Sequence, residues 1–224
     1  MSVIRRLHAP LYRPEDVIPH LGAPHHWKEG RSAKSLIDMW WNANALPPSI
    51  TRILDQAPEW RNAELIDAFV ERCTDLEDGR PSHSQSALLT LVGLENGLGI
   101  IGIEAKVDEG FDVTVKDWLS KVSDGKRTRL AKLCALFGLS AEDVLHLRYQ
   151  LFHRTASAIY EARRYRARHA AMIVQSWSRE AAGFNDFTSF FKALGLRELR
   201  IGAISDPILV ADVELRTAWS AELS

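Results

Sequence analysis

The chain has 224 residues, 46% of them apolar and 25% charged, with 28 Lys and Arg against 29 Asp and Glu and a formal charge of −1. That length suits one domain with a substantial core, and a balance so near zero excludes a uniformly basic or acidic surface as the basis for choosing partners. The two cysteines, Cys73 and Cys134, lack Cys-x-x-Cys spacing, no apolar run has the length of a membrane span, and the N-terminus MSVIRRLHAP lacks a signal peptide's hydrophobic segment. A reduced, cytoplasmic setting with no zinc ribbon, disulfide scaffold or membrane partner is therefore expected.

In chain order, residues 1–33 are rich in Pro, His and Gly and read as an irregular arm that packs through scattered apolar residues. His20, His25 and His26 fall there. Adjacent histidines point apart unless a loop folds them together, so loop packing is expected ahead of ligation. Apolar residues at helical spacing predict a helix over 33–44 through Leu36, Ile37, Trp40 and Trp41. The same spacing predicts another over 61–75 through Leu65, Ile66, Phe69, Val70 and Cys73, capped by Asn62 and with Glu64, Asp67 and Glu71 on its polar side. The loop LEDGRPSHSQS then leads to a hairpin: a strand over 87–94, the turn Glu95-Asn96-Gly97, and a strand ending at Lys106.

Helices follow over 113–122 and over 126–137, the latter closed by Gly138. A long helix is expected from Ser140, where Ser140-Ala-Glu-Asp143 has capping-box form, to about Arg168. A buried strand over 171–177, a helix near 185–194, a short strand near 200–204 and a final strand over 208–215 complete the chain. The order predicts a mixed α/β (α+β) domain, a small central sheet flanked by helices.

The second hairpin strand carries the strongest chemical signal. In GIIGIEAKVDE, residues 99–109, alternation sends Ile101, Ile103, Ala105 and Val107 to one face and Gly102, Glu104 and Lys106 to the other. A carboxylate that can hold a hard divalent cation, beside an ammonium that can orient a water, is what metal-assisted phosphodiester hydrolysis needs. Asp108 and Glu109 follow at once. On the helix expected after Ser140, Val144, Leu145, Leu151, Phe152 and Ile159 form an apolar stripe with Arg148 at its centre. A guanidinium there requires an acid or phosphate partner, with Glu104 the natural candidate and a purely structural brace the alternative. Gln150, His153 and Arg154 lie on the other side of that helix.

Charge is also uneven along the chain. From Lys121 to Arg168 there are 11 Lys and Arg against 4 Asp and Glu, leaving 17 against 25 elsewhere. The run Arg163, Arg164, Arg166, Arg168 and the run Lys126, Arg127, Arg129, Lys132 suit phosphate contacts, or a solvated helix face.

With these residues the chain resembles the PD-(D/E)XK nuclease superfamily: a helix, a hairpin whose second strand ends in Glu104-Ala105-Lys106, a further helix and a further strand. It also looks like a bacterial protein family with an IEAKVDE-type strand and an RYQLFHRTASAIYEA-type helix. The likeness spans about residues 62–178 of a single domain, with 1–33 as an arm and 179–224 as C-terminal additions. It implies a restriction-endonuclease-like core that cleaves nucleic acid with Mg²⁺. Glu104 would bind metal, Lys106 would position the attacking water, and Arg148 would assist. Glu64 or Glu71 of the preceding helix, together with Asp108, would complete the metal set, and Gln150, Arg154, Arg163 and Arg164 would hold substrate.

One position departs from the pattern. No Asp lies between Asp78 and Asp108, and Ala87 stands where the motif's first acid belongs. Asp78, Asp108 or Glu109 would have to compensate, or the chain is a non-cleaving relative that binds nucleic acid or a protein. A structural subunit with Trp40 and Trp41 at an interface is a third reading.

Overall fold

A six-stranded mixed sheet organises the computed structural model, which describes residues 11–79, 83–121 and 123–222. The strands are β1 (Glu64–Thr74), β2 (Ser84–Leu94), β3 (Gly97–Lys106), β4 (His169–Ser176), β5 (Ile208–Val210) and β6 (Val213–Ala221), in spatial order β1-β2-β3-β4-β6-β5. β1, β2 and β3 form an antiparallel meander; β4 runs parallel to β3, and β6 parallel to β4. β5 and β6 form an antiparallel hairpin at the far edge, splitting the single strand expected over 208–215. Its turn is set by Ala211 and Asp212, both at positive φ.

Helices α1 (Ser32–Ala43) and α2 (Pro48–Leu54) cover one face of the sheet, where Leu36, Trp40, Ile50, Ile53 and Trp60 pack on Leu88, Ile101, Ile103 and Ile173. The other face carries α4 (Asp124–Phe137), α5 (Tyr149–Tyr165) and α6 (Phe184–Ala193), with Leu89, Ile100, Met172 and Val174 against Phe152, Ile159, Phe187 and Phe190. The central strands are buried on both faces, which is why β3 and β4 read as near-continuous apolar runs. Gly102 lets α5 sit close: a Cβ there would come within 3.3 Å of the Ala158 Cβ.

The helix expected over 61–75 is strand β1. Its apolar residues serve both faces, Leu65 and Val70 toward the α1 side and Phe69 toward the α5 side. A register shift between Leu65 and Asp67, and a left-handed Glu71 at φ 49°, break the period-2 alternation that marks a strand. Asn62, expected as a helix cap, is left-handed (φ 58°) in the turn before β1.

The long helix begins at Tyr149 rather than after Ser140. The Ser140 and Asp143 side chains do bond each other at 2.7 Å, but the backbone then pairs with 113–116: Val115 N–H donates to Leu147 O at 2.8 Å and Tyr149 N–H to Val113 O at 3.1 Å. That pairing also limits the helix expected over 113–122 to the single turn α3 (Val115–Trp118) and a 3₁₀ turn to Lys121. Strands β2, β3 and β4, and helices α1, α4 and α6, fall where the sequence puts them, within a few residues.

Candidate active site

Where β1, β2 and β3 end beside the start of α5, a cavity of about 410 Å³ opens, lined by Glu71, Gln85, Ala87, Glu104, Lys106, Glu109, Gln150 and Arg154. Its other wall comes from the N-terminal segment and the first turn of α1, through Leu21, Gly22, His26, Arg31, Ser32 and Ala33. Strand alternation brings Glu104 and Lys106 to the α5 side, and the β2–β3 ladder ends at Leu88↔Ile103, one residue short of Ala87 and Glu104.

Glu104 is 5% exposed and Lys106 4%. Gln150 Nε2 donates to Glu104 Oε1 at 2.7 Å, Arg154 Nε donates to Oε2 at 2.8 Å, and Lys106 Nζ lies 3.4 Å from Oε1. Gln150 also accepts from Lys106 Nζ at 3.0 Å, so its amide ties the acid to the ammonium. The Phe111 ring lies 4.8 Å from the ammonium. A buried carboxylate demands such partners.

Glu71 completes the acid set from the edge strand. Val70↔Leu88 and Arg72↔Ser86 are the ladder pairs on either side of it, and Glu71 lines the cavity together with Ala87 and Glu104. Gln85 Nε2 donates to Glu71 Oε2 at 2.8 Å. Burial pushes the Glu71 carboxyl up to about 7; Arg154 pulls against that rise and the Glu104 charge adds to it. For Glu109 burial acts in the same direction, but hydrogen bonds from Ser32 and the Val107 N–H (3.1 Å) and the Lys106 charge outweigh it and hold the carboxyl below its usual value.

The remaining expected residues lie apart from this cavity. Arg148 is the residue just before α5 and not the centre of a stripe; its guanidinium pairs with Asp186 of α6 at 3.0 Å and donates to Asp112 O at 3.2 Å. Glu64 is exposed at the opposite end of β1, paired with Gly93 near the hairpin turn. Asp108 is exposed in the turn after β3, beyond the lining residues. Arg163 and Arg164 sit at the far end of α5, more than about 13 Å along the helix axis from Arg154, where Arg164 pairs with Glu161 at 2.9 Å. Asp78 does not swing in from its loop, since Arg129 of α4 holds it in the interior.

The acids that do reach the cavity offer oxygen donors suited to a hard cation, and Mg²⁺ typically uses one or two carboxylates and keeps several waters. Each Glu104 oxygen retains a second lone pair beside its present hydrogen bond. A separate group, Glu59, His169 and Glu214, brings ligand atoms within 4.8 Å of one another at the opposite end of the sheet. Arg216 pairs with Glu59 there, and His169 Nδ1 lies 3.1 Å from Glu214.

Residues 10–223 match the family model described as Domain of unknown function (DUF6946). The chain belongs to that family. No curated protein and no solved structure matches it. Among the described residues, no helix is long and apolar enough to cross a membrane.

Proposed function

We propose that this chain is a metal-dependent nuclease of the PD-(D/E)XK kind in which the first acid has moved from β2 to β1. The observation that carries this reading is the convergence of Glu71, Glu104 and Lys106 on one cavity that Ala87 also lines. The side-chain set of two carboxylates and an ammonium is retained although Ala87 occupies the usual position. The order of a β-meander, a crossover helix and a parallel strand also suits a restriction-endonuclease-like core.

Glu71 and Glu104 would hold Mg²⁺, which when bound supplies Lewis-acid stabilisation of the phosphate and a more acidic water. Lys106, fixed by Gln150, orients the attacking water and meets the negative charge that develops on the phosphate oxygens. Arg154 fixes the Glu104 carboxylate and sets its orientation.

The test is cleavage of labelled single- and double-stranded DNA and RNA with Mg²⁺ or Mn²⁺ by the wild-type chain, Glu71→Gln, Glu104→Gln and Lys106→Ala. Metal-dependent cutting that all three substitutions abolish is expected. The second reading, a binding module with the same architecture, draws on one observation: Arg154 and Lys106 already neutralise Glu104. Salt-sensitive nucleic-acid binding without cutting, by folded protein in either metal, would establish that reading instead.

A further inference from the structure

The cavity's walls bear on which phosphodiester can reach it, an inference that rests on the nuclease reading above. Glu104 and Lys106 are 5% and 4% exposed, so the scissile group has to come in to them. The wall facing α5 is fastened in several places. Val17 of the N-terminal segment is fully buried, the His20 carbonyl accepts from Gln85 Nε2 at 3.1 Å, and α1 behind it buries Leu36 and Trp40 in the core.

A duplex is a stiff rod with a persistence length of about 150 bp, and its phosphates sit on the outside. Bringing an internal duplex phosphate against a buried Glu104 would require dismantling that wall or unpairing the strand. Among the described residues the cavity lining carries no basic track for a duplex backbone: Arg31, Lys106 and Arg154 are offset by Glu71, Glu104 and Glu109. Duplex binding without sequence contacts relies on several Lys or Arg to phosphate contacts, and Arg163 and Arg164 lie at the other end of α5. A volume of about 410 Å³ is of small-ligand size, which suits the terminal nucleotide of a flexible strand.

We propose that the site acts on the ends of single-stranded nucleic acid, drawing the terminal nucleotide into the cavity so that its phosphodiester lies against Glu71, Glu104 and Lys106. The step is hydrolysis. A water oxygen bonds to phosphorus, the bond from phosphorus to the leaving sugar oxygen breaks, that oxygen takes a proton, and the second water proton passes to solvent.

The experiment compares linear and covalently closed circular single strands of the same sequence, as DNA and as RNA, with Mn²⁺ and the full chain. Shortening of the linear strand with release of mononucleotides and short fragments, while the circle persists, is the expected result. Cutting of the circle at a rate within about threefold of the linear strand overturns end selection and leaves the nuclease reading standing. Absence of cutting in every arm, by protein with native circular dichroism, overturns both.

Discussion

Glu71 of β1 and Glu104 of β3 line one cavity with Ala87 of β2, so two carboxylates 33 residues apart in sequence share a site. The like charge of Glu104 helps to hold the Glu71 carboxyl near 7, a coupling that requires the two groups to be neighbours in space. Ala87, which lines the same cavity, is therefore the place to test whether an acid can move between strands.

Glu71→Gln should lower Mn²⁺ affinity by about tenfold or more, a scale of ~1.4 kcal/mol, read by isothermal titration calorimetry. Adding Ala87→Asp to that variant should restore much of the affinity, because the new carboxylate enters the same cavity. In the wild-type background Ala87→Asp should tighten metal binding and lower metal-free stability, since three carboxylates would then repel one another. Failure of Ala87→Asp to alter metal affinity in either background would count against the shared site.

The raised Glu71 pKa gives a stability signature without metal. A carboxyl at about 7 in the folded chain against an ordinary value of 4.5 binds its proton more tightly when folded. Its favourable contribution is complete below about pH 4.5 and is lost as pH rises through 7. Glu71→Gln should remove that loss and stabilise the chain at pH 8 by roughly 2–3 kcal/mol relative to wild type, with little difference at pH 4.5. Urea denaturation in EDTA at the two pH values measures it.

His153 should act at the acid end. Burial, then the charges of Arg154 and Arg129, hold its imidazole well below 6.5, and its Nδ1 lies 2.8 Å from the Ser84 hydroxyl. The unfolded chain takes up a proton near pH 6.5 that the folded chain refuses, so stability is full above that value and falls as pH drops through it. In His153→Gln the decline in denaturation midpoint between pH 7.5 and 5.5 should be shallower than in wild type.

Arg148 and Arg154 should separate cleanly in activity. Arg148 pairs with Asp186 at a partly exposed site, so Arg148→Ala should cost no more than about 1 kcal/mol of stability and leave metal-dependent cleavage within about twofold, a change of under 0.5 kcal/mol in the barrier. Arg154 makes a charge-assisted bond to buried Glu104, and Arg154→Ala should slow cleavage by about tenfold or more, the scale of ~1.5–3 kcal/mol for such a bond. Single-turnover rates at saturating metal give the comparison.

Local rules account for much of what the sequence alone determined. Period-2 alternation and the Asn96-Gly97 turn located β2 and β3, and with them Glu104 and Lys106 at one strand end. Apolar helical spacing located α1, and for α4 Gly138 supplied the left-handed cap. These features are fixed by residues a few positions apart, so they can be read from the chain before it folds. Tertiary structure decided the rest. Pairing with β2 made a strand of 64–74 despite its helical spacing, turning Glu71 from a helix acid into the neighbour of Glu104. Backbone pairing with 113–116 delayed α5 to Tyr149 and sent Arg148 to Asp186, leaving Gln150 and Arg154 to hold the acid. Arg31, Ser32 and His26 reach the cavity only because the N-terminal segment packs across the sheet end. Each of these outcomes depends on contacts between distant segments, whose free energy exceeds the small local preferences that sequence spacing reports.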